Sequence, residues 1–246
     1  MQTKIYIDYD DEENKYTACS PELKPYQVLR TYGYDIPEVL EHHVLNLERE
    51  IITCKGLLNR GDDPKMDDDI GAEEVLKGLS GLNLFVEVKS EDKSDDDDAM
   101  YVKAANLMFM LQHGQKDKAG MDYYFHPMRV SMKCNLIESK TVALLHDIVE
   151  DTAMTFEKLR IAQFSEEIID GVRAVTHKDG ESYADFIARA AKDVIGREVK
   201  IHDLEDNMDI TRLPNLTEKD WHRLNKYLHS WRYLNHLETT TSNIKD

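Results

Sequence analysis

Along the chain, the rhythm of hydrophobic and polar positions changes near residue 90. Before that point, Lys4 to Asp8 (KIYID) alternates apolar and polar. An acidic turn, Asp10-Asp11-Glu12-Glu13-Asn14, leads into Lys15 to Cys19 (KYTAC). Alternation with period two around a polar turn predicts a β-hairpin. From Ile36 to about Leu58 the apolar residues Val39, Leu40, Val44, Leu47 and Ile51 recur at helical spacing, with Pro37 in the first turn. That pattern predicts an amphipathic helix. Leu84 to Val88 (LFVEV) predicts a further strand. Residues 1–90 are therefore expected to form a small α+β unit.

The stretch Lys89 to Asp98 contains no apolar residue and ends in four consecutive aspartates. Such a run cannot pack, so 91–98 is expected to be a solvated acidic linker. A shorter run, Asp67-Asp68-Asp69, is expected in a loop, without the spacing of a calcium-binding hand. From Ala99 onward the periodicity is helical over 99–113, 125–136, 139–151, 155–162, 165–176, 181–193, 196–211 and 217–237. Thr217 followed by Asp220 predicts a capped helix start. Trp221, Leu224, Leu228, Trp231 and Leu234 form one stripe of that last helix, expected to face the core. The predicted class is mainly α: an all-helical domain over 99–240 preceded by the α+β unit.

Composition narrows the function. The 246 residues are 41% apolar and 32% charged, enough for a core in a globular chain. A net charge of −17 repels a phosphate backbone, so no nucleic-acid partner is expected. A small phosphorylated ligand stays compatible, because a bound cation supplies positive charge locally. Cys19, Cys54 and Cys134 are sparse and widely spaced, which fits a reducing compartment. The N-terminus turns acidic within ten residues, unlike a signal peptide, and no stretch reaches the ~18 apolar residues of a membrane span. A cytoplasmic protein without membrane contact is the expectation.

The chemistry concentrates in Thr141 to Asp151 (TVALLHDIVED). At ~100° per residue on a continuous helix, His146, Asp147, Glu150 and Asp151 fall within ~140° of arc. Val142, Leu145 and Val149 point the other way. One ionisable side chain among apolar neighbours is usually structural. Four on one wall, flanked by Leu and Val, point to a site, because their burial is costly unless they are paired or bind metal. A metal needs further ligands. His126, in Phe125-His126-Pro127, and Asp203, in Lys200-Ile201-His202-Asp203, supply candidates from two other predicted helices. Two imidazoles and two carboxylates suit a divalent first-row metal such as manganese, zinc or iron. Water in the remaining positions is the candidate nucleophile.

The order His126, His146-Asp147, Asp203 resembles the HD phosphohydrolase superfamily. It is most similar to the hydrolase domain of the RelA/SpoT family and the small alarmone hydrolases. The resemblance covers about 99–237 and rests on ALLHDIVEDT over 143–152, supported by His113-Gly114-Gln115, Lys118-Ala119-Gly120, Tyr123 to Pro127, and Lys200 to Asp203 with Asn207-Met208. It implies that His126, His146, Asp147 and Asp203 ligate one metal, most often Mn²⁺. It also implies that Glu150 and Asp151 handle the proton of water or leaving group, and that Lys116, Lys118 and Asn207 contact the substrate. His202 is expected to be a helical neighbour and not a ligand. The implied reaction removes the 3′-pyrophosphate from guanosine tetra- or pentaphosphate. Where the family often has arginine, this chain has Asp117, and an ammonium at Lys116 does not replace a guanidinium. That departure motivates an alternative, hydrolysis of another nucleotide or phosphate ester. A second alternative is a non-catalytic, antitoxin-like binding module, with residues 1–90 engaging a protein partner or a second copy.

Overall fold

The computed structural model describes residues 2–10, 15–20, 31–33, 36–59, 65–66, 70–71, 83–88, 96–213, 215–236, 241 and 244. The turn at 11–14, the Asp67–Asp69 run and residues 89–95 lie outside them. The chain divides into two compact units. One comprises 1–115 with 122–128, and the other comprises 116–121 with 129–246.

In the first unit, β1 (Gln2–Asp10), β2 (Lys15–Cys19), β3 (Thr31–Gly33) and β6 (Asn83–Val88) form a sheet of order β3-β2-β1-β6. A two-stranded ribbon joins β4 (Lys65–Met66) to β5 (Ile70–Gly71). β1 pairs antiparallel with β2, Ile7 opposite Ala18, and parallel with β6, Ile5 opposite Val86. These residues are buried while Asp8 is exposed, so the period-two pattern does build the hairpin. Helix α1 (Ile36–Asn59) packs on β1, β2 and β3, and every position of the predicted stripe is buried. The predicted helix at 99–113 begins earlier, as α2 (Asp96–Leu111). Asp96, Asp97 and Asp98 thus form a helical first turn, where carboxylates complement the positive end of the helix dipole. Asn106 of α2 pairs with edge strand β6 through its amide, accepting from Val86 N at 2.6 Å and donating to Val86 O at 3.0 Å.

The second unit is helical. After α3 (Phe125–Lys133), which starts in the first unit, come α4 (Ile137–Leu145), α5 (Ile148–Asp151), α6 (Phe156–Ile161), α7 (Glu166–Val175) and α8 (Tyr183–Ala190). They are followed by α9 (Val194–Asn207), a 3₁₀ turn (Ile210–Arg212) and α10 (Glu218–Leu234). α9 is the hub, packed against α4, α7, α8 and α10. Ser165, Ser182 and Asp193 cap α7, α8 and α9, and Thr217 with Asp220 forms the expected capping box of α10.

Close approach of α9 to α7 depends on Gly196. A Cβ there would lie 2.6 Å from the Ala174 Cβ. Gly196→Ala is expected to lower stability by about 1–3 kcal/mol, read as a reduced urea midpoint with unchanged slope. An unchanged midpoint would show that the helices separate without cost.

The predicted stripe of α10 is only half buried. Leu234 is in the core with Phe186, Ile187 and Leu204, and Trp231 packs against it, but Trp221 and Leu228 are 57% and 45% exposed. Over four turns the 3.6 period rotates the stripe off a single flat contact. Cys19 and Cys134 are free thiols, and the Cys54 side chain is outside the description. Among the described residues, no helix is long and apolar enough to cross a membrane.

Candidate active site

The run expected as one helix over 139–151 is broken at its polar centre. α4 ends at Leu145, His146 and Asp147 form the junction, and α5 is a single turn. The common-wall picture therefore fails: His146 is 2% exposed and Asp147 is half-buried, whereas Glu150 and Asp151 face solvent. The junction itself orients the histidine. A helix end leaves carbonyls without amide partners, and His146 Nδ1 lies 2.7 Å from Ala143 O, so the ring donates from Nδ1. Its other nitrogen, Nε2, then faces inward, 3.0 Å from Asp147 Oδ2 and 3.7 Å from Asp203 Oδ1.

Asp203 arrives from α9, which packs on α4. It is 4% exposed, and both oxygens are engaged. Asn207 Nδ2, one turn on, donates to Oδ1 at 2.5 Å, and Lys200 Nζ, one turn back, donates to Oδ2 at 2.7 Å. Lys200 also lies over the Phe186 ring, 5.0 Å from its centroid. Burial alone would push its ammonium down, but the Asp203 and Asp147 carboxylates hold it well above the ordinary lysine range. The same balance acts on His146. Burial disfavours its charged form, yet Asp147 and Asp203 raise its pKa well above that of a free imidazole. A ring nitrogen and two carboxylates converging in a buried space call for a shared positive charge. That donor set fits a divalent cation, and His146 and Asp147 belong to a group of side chains able to hold one.

His126 is buried in the first turn of α3, its ring 5.6 Å from that of Tyr123. His202 pairs with Glu205 at 2.9 Å instead of turning to Asp203. Of the expected substrate contacts, Asn207 supports Asp203, Lys116 is exposed, and Lys118 pairs with Asp220 at 3.0 Å. Asp117 builds its own loop. Oδ1 accepts from the amides of Ala119 and Met121, and Oδ2 accepts from Arg212 at 3.0 Å. Arg212 continues to Asp206, which Arg129 grips with two parallel bonds. No motif marks Arg129 and Asp206, 77 positions apart, as partners.

Glu150 Oε1 accepts from the His177 amide at 2.7 Å. It borders an open cleft of about 600 Å³ whose other walls include Phe156, Arg173, His177 and Lys178. Sequence reasoning missed these basic residues, because they lie in the last turn of α7 and just after it, and that helix carries no motif of its own.

No family model matches the chain. A guanosine-3′,5′-bis(diphosphate) 3′-pyrophosphohydrolase of Aquifex aeolicus (strain VF5) is 33% identical over 110 residues, 39% of this chain and 16% of that protein. The chain thus spans about one sixth of the relative's length. A solved structure of a metazoan ortholog of SpoT, which hydrolyses ppGpp and plays a role in starvation responses, aligns at TM-score 0.48 and 21% identity. That alignment covers 60% of this chain and 90% of the other. In part of its length, then, the chain is similar to the RelA/SpoT-type hydrolases.

Proposed function

We propose that the chain is a metal-dependent phosphohydrolase that releases the 3′-pyrophosphate of guanosine tetra- or pentaphosphate. The observation that carries this reading is the buried convergence of His146, Asp147 and Asp203. Similarity to a pyrophosphohydrolase of that specificity supports it. His146 Nε2, Asp147 and Asp203 would hold the metal, with His126 as the fourth ligand. His126 sits one helical turn before Arg129, and Asp203 one turn before Asp206. Arg129 and Asp206 themselves are joined by two hydrogen bonds. Mn²⁺ suits this mix of imidazole and carboxylate. When bound, the ion supplies Lewis-acid polarisation of a phosphoryl oxygen and lowers the pKa of water.

The protein groups do the rest. The Ala143 carbonyl fixes the His146 tautomer, and Lys200 and Asn207 hold the Asp203 carboxylate in one orientation. Glu150 is anchored by Oε1 on the His177 amide. Its Oε2 has no hydrogen bond among the described residues and is presented to take a proton from water. Asp151, beside it on the same turn, is the second proton carrier.

A second reading, hydrolysis of a different nucleotide, draws on Asp117. Its carboxylate is consumed by the loop and by Arg212, so that position offers a purine no guanidinium. Incubation with Mn²⁺ and a panel of guanosine and adenosine polyphosphates, followed by chromatography, separates the readings. Pyrophosphate release from guanosine tetraphosphate is the expected result. Turnover of other nucleotides alone would favour the second reading, and metal binding without turnover of any of them would leave a binding module.

A further inference from the structure

The cleft beside Glu150 is a built feature. Its far wall is the loop 176–181, pinned from below by Arg189 of α8. That guanidinium donates to the carbonyls of Arg173, Ala174 and Thr176 at 2.8, 3.1 and 2.8 Å, taking up the C-terminal end of α7. It also forks onto Glu181, with Nε and Nη2 each 2.7 Å from a carboxylate oxygen. The fork holds the Glu181 carboxyl down at about 2. Gly180, at φ +76°, reverses the chain where a side chain would be strained. The wall is therefore held by side chain, backbone and turn together, more than a solvent loop requires.

What this wall presents to the cleft includes one ammonium, that of Lys178. Lys178 donates only from its backbone amide, and its ammonium has no ion pair among the described residues of a chain with net charge −17. The Arg173 guanidinium lies over the Phe156 ring, 5.0 Å from its centroid, with Asp170 as its ion-pair partner. Asp179 also lines the cleft, and Glu150 closes its near side.

We infer that this cleft is the subsite for the phosphate end of the substrate, with Lys178 as its anion-binding residue and Arg173 as the supporting cation. The ligand class is a phosphate or pyrophosphate anion. The inference rests on the phosphohydrolase reading for its place in a reaction, since an anion held here lies against the Glu150 carboxylate that would handle the proton. It reassigns the phosphate contact expected of Lys118, whose ammonium is committed to Asp220. Arg189 is a positioning residue, acting through the loop.

The probe is inorganic pyrophosphate, titrated calorimetrically into the full chain without added metal. Lys178→Glu is expected to weaken binding roughly tenfold, the scale of reversing one partly exposed charge. It should also raise KM more than it lowers kcat. Arg189→Met should weaken pyrophosphate binding in the same direction, with Arg189→Lys recovering part of it. Lys219→Glu, a charge reversal of equal size on the exposed side of α10, should leave pyrophosphate affinity unaltered. Unchanged affinity and KM in Lys178→Glu would overturn the subsite, as would an equal loss in Lys219→Glu, which would reduce the effect to overall charge. The two claims fail separately. A wild-type chain that binds pyrophosphate through Lys178 but turns over no nucleotide sinks the proposed function and keeps the subsite. Turnover indifferent to Lys178 does the reverse.

Discussion

Asp147→Ala is expected to weaken divalent-metal binding at least about a hundredfold and to lower hydrolysis at least about a thousandfold. The first figure follows because even partners one bond removed from a metal ligand cost ten- to a hundredfold when lost. The second corresponds to losing about 4 kcal/mol of transition-state charge stabilisation, the scale of a metal's Lewis-acid contribution. Asp147 sits in the junction between α4 and α5, half-buried at 22% exposure, so its removal leaves the core intact. Circular dichroism should be unchanged. Asp147→Asn sharpens the test: it keeps the volume, removes the charge, and should be nearly as inactive. Metal affinity within twofold of wild type in Asp147→Ala would remove Asp147 from the site.

The second large effect falls on stability. Arg129 donates to Asp206 through Nε at 2.7 Å and Nη2 at 3.0 Å, and the two side chains are 15% and 4% exposed. Arg129→Ala removes both of these bonds from Asp206, whose Oδ2 also accepts from Arg212 at 3.2 Å. Taking one guanidinium away from a carboxylate this buried costs about 3 kcal/mol. For a chain of this size that should lower Tm by roughly 10 °C. Arg129→Lys should recover little of it, since an ammonium cannot reproduce the fork. A change in Tm below about 2 °C would show that water or Arg212 takes over the pairing.

How much of this was legible in the sequence depends on the range of the physics. The α1 stripe and the β1–β2 hairpin follow from periodicities of 3.6 and 2, and the structure buries the residues those periods select. His146, Asp147 and Asp203 could be named because apolar frames around ionisable residues are a local signal. The break between α4 and α5 could not. Val142 to Asp151 has helical spacing throughout, and the junction is held by the His146 imidazole on Ala143 O, a contact that periodicity does not encode. The start of α2 was misplaced because aspartates read as solvated charge also serve a helix N-terminus. The Asp117–Arg212–Asp206–Arg129 chain and the wall pinned by Arg189 join residues 6 to 95 positions apart, and only the folded helices bring them together.

The central claim is that a single metal held by His146, Asp147 and Asp203, with His126, drives phosphate-ester hydrolysis. Its most direct test is pyrophosphate release from guanosine tetraphosphate, followed while Mn²⁺ is titrated into the metal-free chain. Activity should be absent in chelator, rise with added ion, and saturate at one equivalent per chain. Turnover that persists undiminished in chelator, or none at any Mn²⁺ concentration, would contradict it.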